Sequence, residues 1–486
     1  MTSSSRRTFL KQSLAAAAGT SAFAIAGTKA SGRVLGANDT IRIAIAGLNG
    51  RGREHVKQFS NMENVQITYL VDPDERAFGT RIPGSPVPAD TIKDKTGVTP
   101  KLVKDIREVL DDPNVDAITI ATPNHWHSLM TIWACQAGKD VYVEKPCSHN
   151  IHEGRIAVET ARKHNRIVQH GTQSRSSAGW AGAVDFIKSG AAGKLLVSRA
   201  LCYKGRGSIK FQQPSDPPPQ LDFNLWLGPA PEQPYHKNLV PYNWHWFWDT
   251  GNGDIGNQGV HQMDIARWGI PGATLPKSVV SLGGRFGYED QGQTPNSQIA
   301  IMDFGGPQLI FEVRGLRTPD YHGEKIGNFF HCEGGLVTEG KFYPKGSTEP
   351  VAIASAPRGP GGGHFQNFIA AMRSRNQAEL NADILEGHFS SALCHLANMS
   401  YRLGEEVPFV PRTKAFGDNA EAYETLGRME EYLAKTNSIP LEGLKYRLGR
   451  KLDVDAAKET ITNNSDAVAM LTRNYRAPFT VPDKVA

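Results

Sequence analysis

At 486 residues the chain is too long for one ordinary domain, and two or three are expected. Its composition is globular, with 39% hydrophobic and 21% charged residues, and 49 Gly and 30 Pro indicate many loops. The net charge of +5 is confined to residues 1–38, where Arg6, Arg7, Lys11, Lys29 and Arg33 stand without an acid; the balanced remainder argues against a nucleic-acid surface. Cys135, Cys147, Cys202, Cys332 and Cys394 show no paired spacing, so neither a zinc site nor a disulfide framework is signalled.

Residues Ser5–Lys11 read SRRTFLK and resemble the bacterial twin-arginine export motif. The apolar stretch Leu14–Ala26 follows, and cleavage after Ala26 or Ala30 fits its small residues. The stretch is too short for a stable membrane span. The expectation is a periplasmic protein exported folded.

Ile41–Ala46 is a β-branched run that ends in Gly47-Leu-Asn-Gly-Arg-Gly52. A helical pattern continues to Phe59, and a second strand, Val65–Val71, ends in Asp72. Strand, glycine turn, helix, strand and acid form a dinucleotide-binding unit. Gly47, Gly50 and Gly52 let backbone amides approach a pyrophosphate at the helix N-terminus, with Arg51 beside them. Asn49 replaces the usual second glycine, tolerable where φ is positive. Asp72 can accept hydrogen bonds from ribose hydroxyls and would repel a 2′-phosphate, which favours NAD over NADP.

Pro73–Pro100 reads as an irregular insertion with a short helix at Ala89–Thr96. Order resumes at Ile106–Leu110 and the strand Ala117–Ala121, followed by a loop, Thr122-Pro-Asn-His-Trp-His127, and a helix, Ser128–Ala137. His125 and His127 have no third ligand at a recognisable spacing, so no metal site is assigned. The loop Thr122, Pro123, Asn124 and His127 is expected to face the nicotinamide. Asp140–Val143 is a buried strand that delivers Glu144 and Lys145 before Pro146 stops the ladder. A helix at 151–165 and a strand, Ile167–Gln169, complete the unit.

These motifs, in this order, resemble the glucose-fructose oxidoreductase / inositol dehydrogenase / rhizopine catabolism (Gfo/Idh/MocA) family, from Ile41 to about Gly404. The resemblance implies an α/β protein with a Rossmann dinucleotide-binding domain and a second α/β domain built on an open, mostly antiparallel sheet. The expected boundaries are 39–170, 171–404 and a C-terminal extension, 405–486. Strands are read at Leu195–Tyr203, Val279–Phe286, Gln298–Phe304, Gln308–Arg314 and Asn328–Glu333. Phe365–Met372, Phe389–Leu403 and Glu421–Leu433 read as helices, and the aromatic end Asn474–Pro482 is expected to pack against a neighbour. In the family the open sheet commonly serves as a dimer surface, so a homo-oligomer, dimer or tetramer, is expected.

The resemblance also implies bound NAD, contacts from Glu144, Lys145 and Gln173, and hydride transfer at a hydroxyl of a sugar or cyclitol. Lys145 and His261 would carry the proton. Asn257 stands where the family often has an acid, and it cannot act as a base. Trp244 and Trp246, in a cluster with Trp248, are candidates to stack on a sugar ring; Tyr203, Lys204 and Arg206 could line the pocket. Two other outcomes stay open: glycoside cleavage by transient oxidation and elimination, and a non-catalytic nucleotide-containing binding protein.

Overall fold

The computed structural model of the chain describes residues 39–80 and 84–485. The leader motif Ser5–Lys11 and the apolar stretch after it lie outside the described residues. Six parallel strands form the first sheet: β1 (Ile41–Ala46), β2 (Val65–Val71), β3 (Lys101–Val103), β4 (Ala117–Ile120), β5 (Asp140–Val143) and β6 (Val168–His170). Their order is β3-β2-β1-β4-β5-β6, so the chain reverses direction across the sheet between β1 and β4. Ile41, Ile43 and Ile45 are fully buried on one face of β1, and Ala44 and Ala46 on the other. Each isoleucine contributes about 1.5–3 kcal/mol of hydrophobic stabilisation. A sheet buried on both faces explains why its strands read as continuous apolar runs rather than alternating ones.

Helices cover both faces. Asn124–Gln136 and Ile151–Lys163 pack on one, and Arg51–Ser60 packs on the other. There it is joined by His364–Ser374, whose Phe365, Phe368, Ile369 and Met372 meet Ile41, Ile43 and Phe59. The sequence assigns that helix to the second domain; its apolar stripe is instead spent on the first sheet. Two further expectations are corrected. Lys101–Val103 is a strand, paired to β2, that three residues with an exposed Leu102 do not announce. The helix expected from Ser128 begins at Asn124, directly after Pro123, whose fixed φ of −59° suits a helix start.

The second sheet has twelve strands among the described residues. Its centre is β7 (Leu195–Cys202), β8 (Ser278–Gly284), β9 (Ser297–Asp303), β10 (Gln308–Arg314) and β11 (Ile326–Cys332), in the order β11-β7-β10-β9-β8. Only β7 and β10 run parallel within this group. Ala200, Ala300 and Phe311 face the helices Gly259–Trp268 and Ile384–Arg402 in the largest core. On the opposite face Leu282, Ile299 and Ile301 are covered by Leu426 and Met429 of the helix Ala420–Glu431.

The C-terminal extension therefore belongs to the second domain rather than standing apart. Lys445–Leu448 and Leu452–Asp455 both pair with β8, and Glu405–Pro408 pairs with the former. The end of the chain crosses back to the first domain. Phe479 meets Trp126 edge-on at 5.4 Å and joins the core beneath Asn124–Gln136. Tyr475 receives a hydrogen bond from Asn150 at 3.2 Å. The neighbour expected for this aromatic segment is the chain's own nucleotide domain.

Candidate active site

The carboxyl ends of β1, β2, β4 and β5 open on one cleft, where ligands bind in sheets of this order. Backbone pairing extends past the strands into the cleft residues. Gly47 donates to Val71 at 2.8 Å, Ala121 to Ala46 at 2.7 Å, and Glu144 to Ile120 at 2.9 Å. The turn after β1 is constrained by its glycines. Gly47 has φ +87°, and a Cβ there would lie 2.5 Å from the Ala121 carbonyl oxygen. A Cβ on Gly52 would come within 1.7 Å of the Gly47 oxygen, so the helix could not approach the turn. Asn49 does not have the positive φ expected of it; Gly47 alone makes the left-handed turn before Gly50.

Asp72 follows β2 and is buried in the cleft wall. Its carboxylate accepts from Leu48 N–H at 2.8 Å and Asp74 N–H at 3.0 Å. The acid therefore fixes the glycine turn as well as lining the cleft. The N-cap of Arg51–Ser60 is Gly50, which has no side chain to cap it, and the first N–H groups and positive dipole end of the helix stand at the cleft. The Thr122 hydroxyl is buried in the cleft without a partner among the described residues. An uncapped helix start, an unpartnered hydroxyl and an acid at the second strand end fit a dinucleotide.

His127 does not offer a free ring nitrogen. Nδ1 lies 2.6 Å from the Pro146 oxygen and Nε2 2.8 Å from the Thr122 oxygen, so the ring ties the β4 turn to the β5 turn. The ring nitrogens of His125 likewise face the Trp226 and Thr250 oxygens. Asn124 donates to the Asn252 side chain at 2.9 Å, linking the two domains across the cleft. Pro123 lines the cleft beside it.

Glu144 is expected to orient a nicotinamide, yet most of its bonding is internal. Oε1 accepts from Arg51 Nε at 2.7 Å, meets His55 Nε2 at 3.1 Å and lies 3.5 Å from Gln173 Nε2. Burial pushes its carboxyl upward, but the His55 ring and the Arg51 guanidinium hold it well below the usual carboxylate range. Arg51 thus serves Glu144 and lies over the Phe365 ring, and Gln173 sits behind Glu144 on the Tyr142 hydroxyl, outside the cleft lining. His55 is the residue that sequence reasoning missed; nothing in a helix interior marks it as a partner for an acid 89 positions away.

Lys145 ends the cleft. Its ammonium donates to the Asn257 carbonyl at 2.9 Å and to the Asn257 side-chain oxygen at 3.3 Å. Burial lowers its pKa, and the opposing charge of Glu144 is offset by Arg51. His261, on the helix Gly259–Trp268, is partly buried. Burial and then the charge of Lys145 push its imidazole down to about 3, so the ring is neutral at neutral pH. Its side chain has no hydrogen-bond partner among the described residues. Trp244 lines the cleft and stacks on His245 with ring centroids 3.6 Å apart. Trp246 is turned away under the Arg206 guanidinium, and Trp248 packs towards Tyr401 and Arg402. Leu225, Trp226 and Tyr242 complete the wall. They come from a long excursion after β7 that carries no motif.

The profile of the oxidoreductase family with an NAD-binding Rossmann fold, Gfo/Idh/MocA, matches residues 41–172, and that of its C-terminal α/β domain matches residues 198–277. The scyllo-inositol 2-dehydrogenase (NAD(+)) of Bacillus subtilis is 30% identical over 166 residues, 34% of this chain and 44% of that protein. A glycosyl hydrolase family 109 protein of Shewanella pealeana is 29% identical over 143 residues, 28% of this chain and 30% of that protein. The chain thus spans less than half the length of these two curated relatives. The WlbA dehydrogenase of Bordetella pertussis, solved with NADH and UDP-GlcNAcA, has a similar fold, with a TM-score of 0.55 and 17% identity. That likeness covers 75% of this chain and 97% of the solved one. Over residues 41–172 and 198–277, with the glycine turn, Asp72 and Lys145 around one cleft, the chain is thus similar to the two domains of the Gfo/Idh/MocA oxidoreductase family in their order.

Proposed function

We propose that the chain is an NAD-dependent oxidoreductase that transfers hydride to or from a carbinol carbon of a sugar or cyclitol. The observation that carries this reading is the position of Lys145: its ammonium closes the cleft that begins at the glycine turn and Asp72. Gly50, the start of the helix Arg51–Ser60, Asp72 and Thr122 would hold the nucleotide, and when bound NAD supplies the hydride acceptor. Lys145, with its pKa lowered by burial, is suited to accept the hydroxyl proton. Asn257 holds its amine in place, and the neutral His261 offers a second hydrogen bond beside it. Trp244 gives the carbohydrate ring an apolar wall.

The test is single-turnover absorbance of the bound nicotinamide against a panel of sugars and cyclitols. At least one member should reduce it, and Lys145→Ala should slow that step by about a hundred- to ten-thousand-fold, the usual scale for a lost proton carrier. No reduction by any member, or an unchanged rate in the variant, would contradict the reading. The relatives described as glycosyl hydrolase family 109 proteins favour a second reading on the same residues, transient oxidation followed by elimination of a glycosidic group. Release of phenol from an aryl glycoside without net NADH separates the two.

The leader Ser5–Lys11 supports export to the periplasm, where no free NAD pool replenishes a lost cofactor. The nucleotide is then held tightly and the net chemistry is redox-neutral. Dialysis of the exported protein, followed by denaturation and nucleotide analysis, tests this; activity that needs added NAD counts against it. A homo-oligomer remains the expected assembly, and light scattering after gel filtration decides it.

A further inference from the structure

Two ammonium groups stand beside Asn257 and Gln258, Lys145 in the cleft lining and Lys204 just outside it, and neither has an ion pair among the described residues. Lys145 is bound by the oxygens of Asn257, and Lys204, just beyond β7, donates to the Gln258 side-chain oxygen at 3.1 Å. These acceptors are neutral amides on consecutive residues. The charge of Lys204 lies near enough to act on Lys145, so two like charges are held together in a partly buried setting.

The carboxylates nearby are all committed elsewhere. Asp254 takes both nitrogens of a fork from Arg206, at 2.7 and 2.8 Å. Glu144 is held by Arg51 and His55. Asp264 is held by Arg175 at 2.9 Å through each of two bonds, and by Ser390 at 2.6 Å. Among the three residues at the end of β7, Tyr203 points to the other face of the sheet and donates to Glu312 at 2.8 Å, and Arg206 is neutralised. Of these three, Lys204 is the one cation with no ion pair among the described residues. Glu144 and Asp254 act on Lys145 from a distance but are held by arginines, so an anion placed between the two ammonium groups would meet charge that no direct protein contact satisfies.

We propose that Lys204 reads a negative charge on the substrate, so that the sugar or cyclitol taken by this chain carries a carboxylate or phosphate group. The inference rests on the reading of the cleft as an NAD-dependent carbohydrate site and specifies its substrate class. Lys145 remains the proton carrier, and Lys204 supplies a charge-assisted hydrogen bond to the acid group. A neutral sugar of the same shape leaves the two ammonium groups unrelieved.

The experiment uses the full chain saturated with NAD and matched probes: glucose, glucuronate and glucose 6-phosphate; galactose and galacturonate; myo-inositol and its monophosphate. Binding is read by tryptophan fluorescence, since Trp244 lines the cleft. An acidic member is expected to bind at least about tenfold more tightly than its neutral counterpart, the scale of one charge-assisted bond. The uronate and phosphate arms decide which acid group is read. Lys204→Gln should abolish the preference while retaining bound NAD, and Lys204→Arg should restore it. Equal or tighter binding of the neutral member overturns the inference and leaves the oxidoreductase reading intact, as does a preference that survives Lys204→Gln. No response to any probe, neutral or acidic, overturns both.

Discussion

Glu144 shows how far a residue's neighbourhood can differ from its motif. Its place at the end of β5 is legible in the sequence, because a buried apolar run stopped by Pro146 puts the preceding pair at the mouth of the sheet. Its partners are not, since Arg51 lies 93 positions earlier and reaches it only once β1 and β5 share a sheet. Replacing Glu144 by Ala leaves Arg51 and His55 facing an empty buried site. Because Arg51 is 39% exposed and water can take up its charge, a loss of about 1–3 kcal/mol is expected in urea unfolding, the scale for leaving a buried hydrogen-bonding group such as His55 unsatisfied. The carboxyl is held well below its ordinary value, so its contribution is present above the ordinary carboxylate pKa and is lost as pH falls through the lower folded one. Wild type should therefore lose more melting temperature on acidification than Glu144→Gln. A parallel acid profile in both proteins would show that the pair adds nothing. Lys145 makes the opposite case, since burial lowers its pKa and enlarges the fraction of free amine. The hydride step should rise with pH to a plateau through an apparent pKa below that of an ordinary lysine. A flat profile, or one rising only near an unperturbed lysine, would remove Lys145 from proton transfer.

At the scale of elements, the central strands were legible because β-branched runs bounded by glycine, acid or proline have few other uses. Gln308–Arg314 and Asp140–Val143 fall where the sequence puts them. What was not legible is which domain an amphipathic helix serves. His364–Ser374 shows its apolar spacing plainly, but periodicity says nothing about the sheet it returns to. The aromatic tail poses the same problem. Phe479 buries its ring against Trp126, and Trp126 lines the nucleotide cleft. Phe479→Ala should cost about 3–5 kcal/mol, the range for emptying a buried aromatic site. Because the cavity lies behind a cleft wall, NAD affinity should fall with it. Titration calorimetry checks this; full NAD affinity in a destabilised variant would separate the tail from the cleft.

For the whole molecule, the order of motifs along the chain was enough to place a Rossmann domain before an α/β domain. It was not enough to place residues 405–486, because strands that join an existing edge carry no signature of their own. Lys445–Leu448 and Leu452–Asp455 extend the second sheet at β8, and Ala420–Glu431 covers part of the face that the family resemblance marks as a dimer surface. The two domains meet along one cleft, and the account stands on what that cleft holds. The direct test is to saturate the purified protein with an equal mixture of NAD and NADP, separate it from free nucleotide by gel filtration, and identify what the denatured chain releases. About one equivalent of NAD per chain with little NADP is expected, since one dinucleotide unit is described and an acid at the end of its second strand would repel a 2′-phosphate. Release of neither nucleotide, or of NADP in preference to NAD, would contradict it.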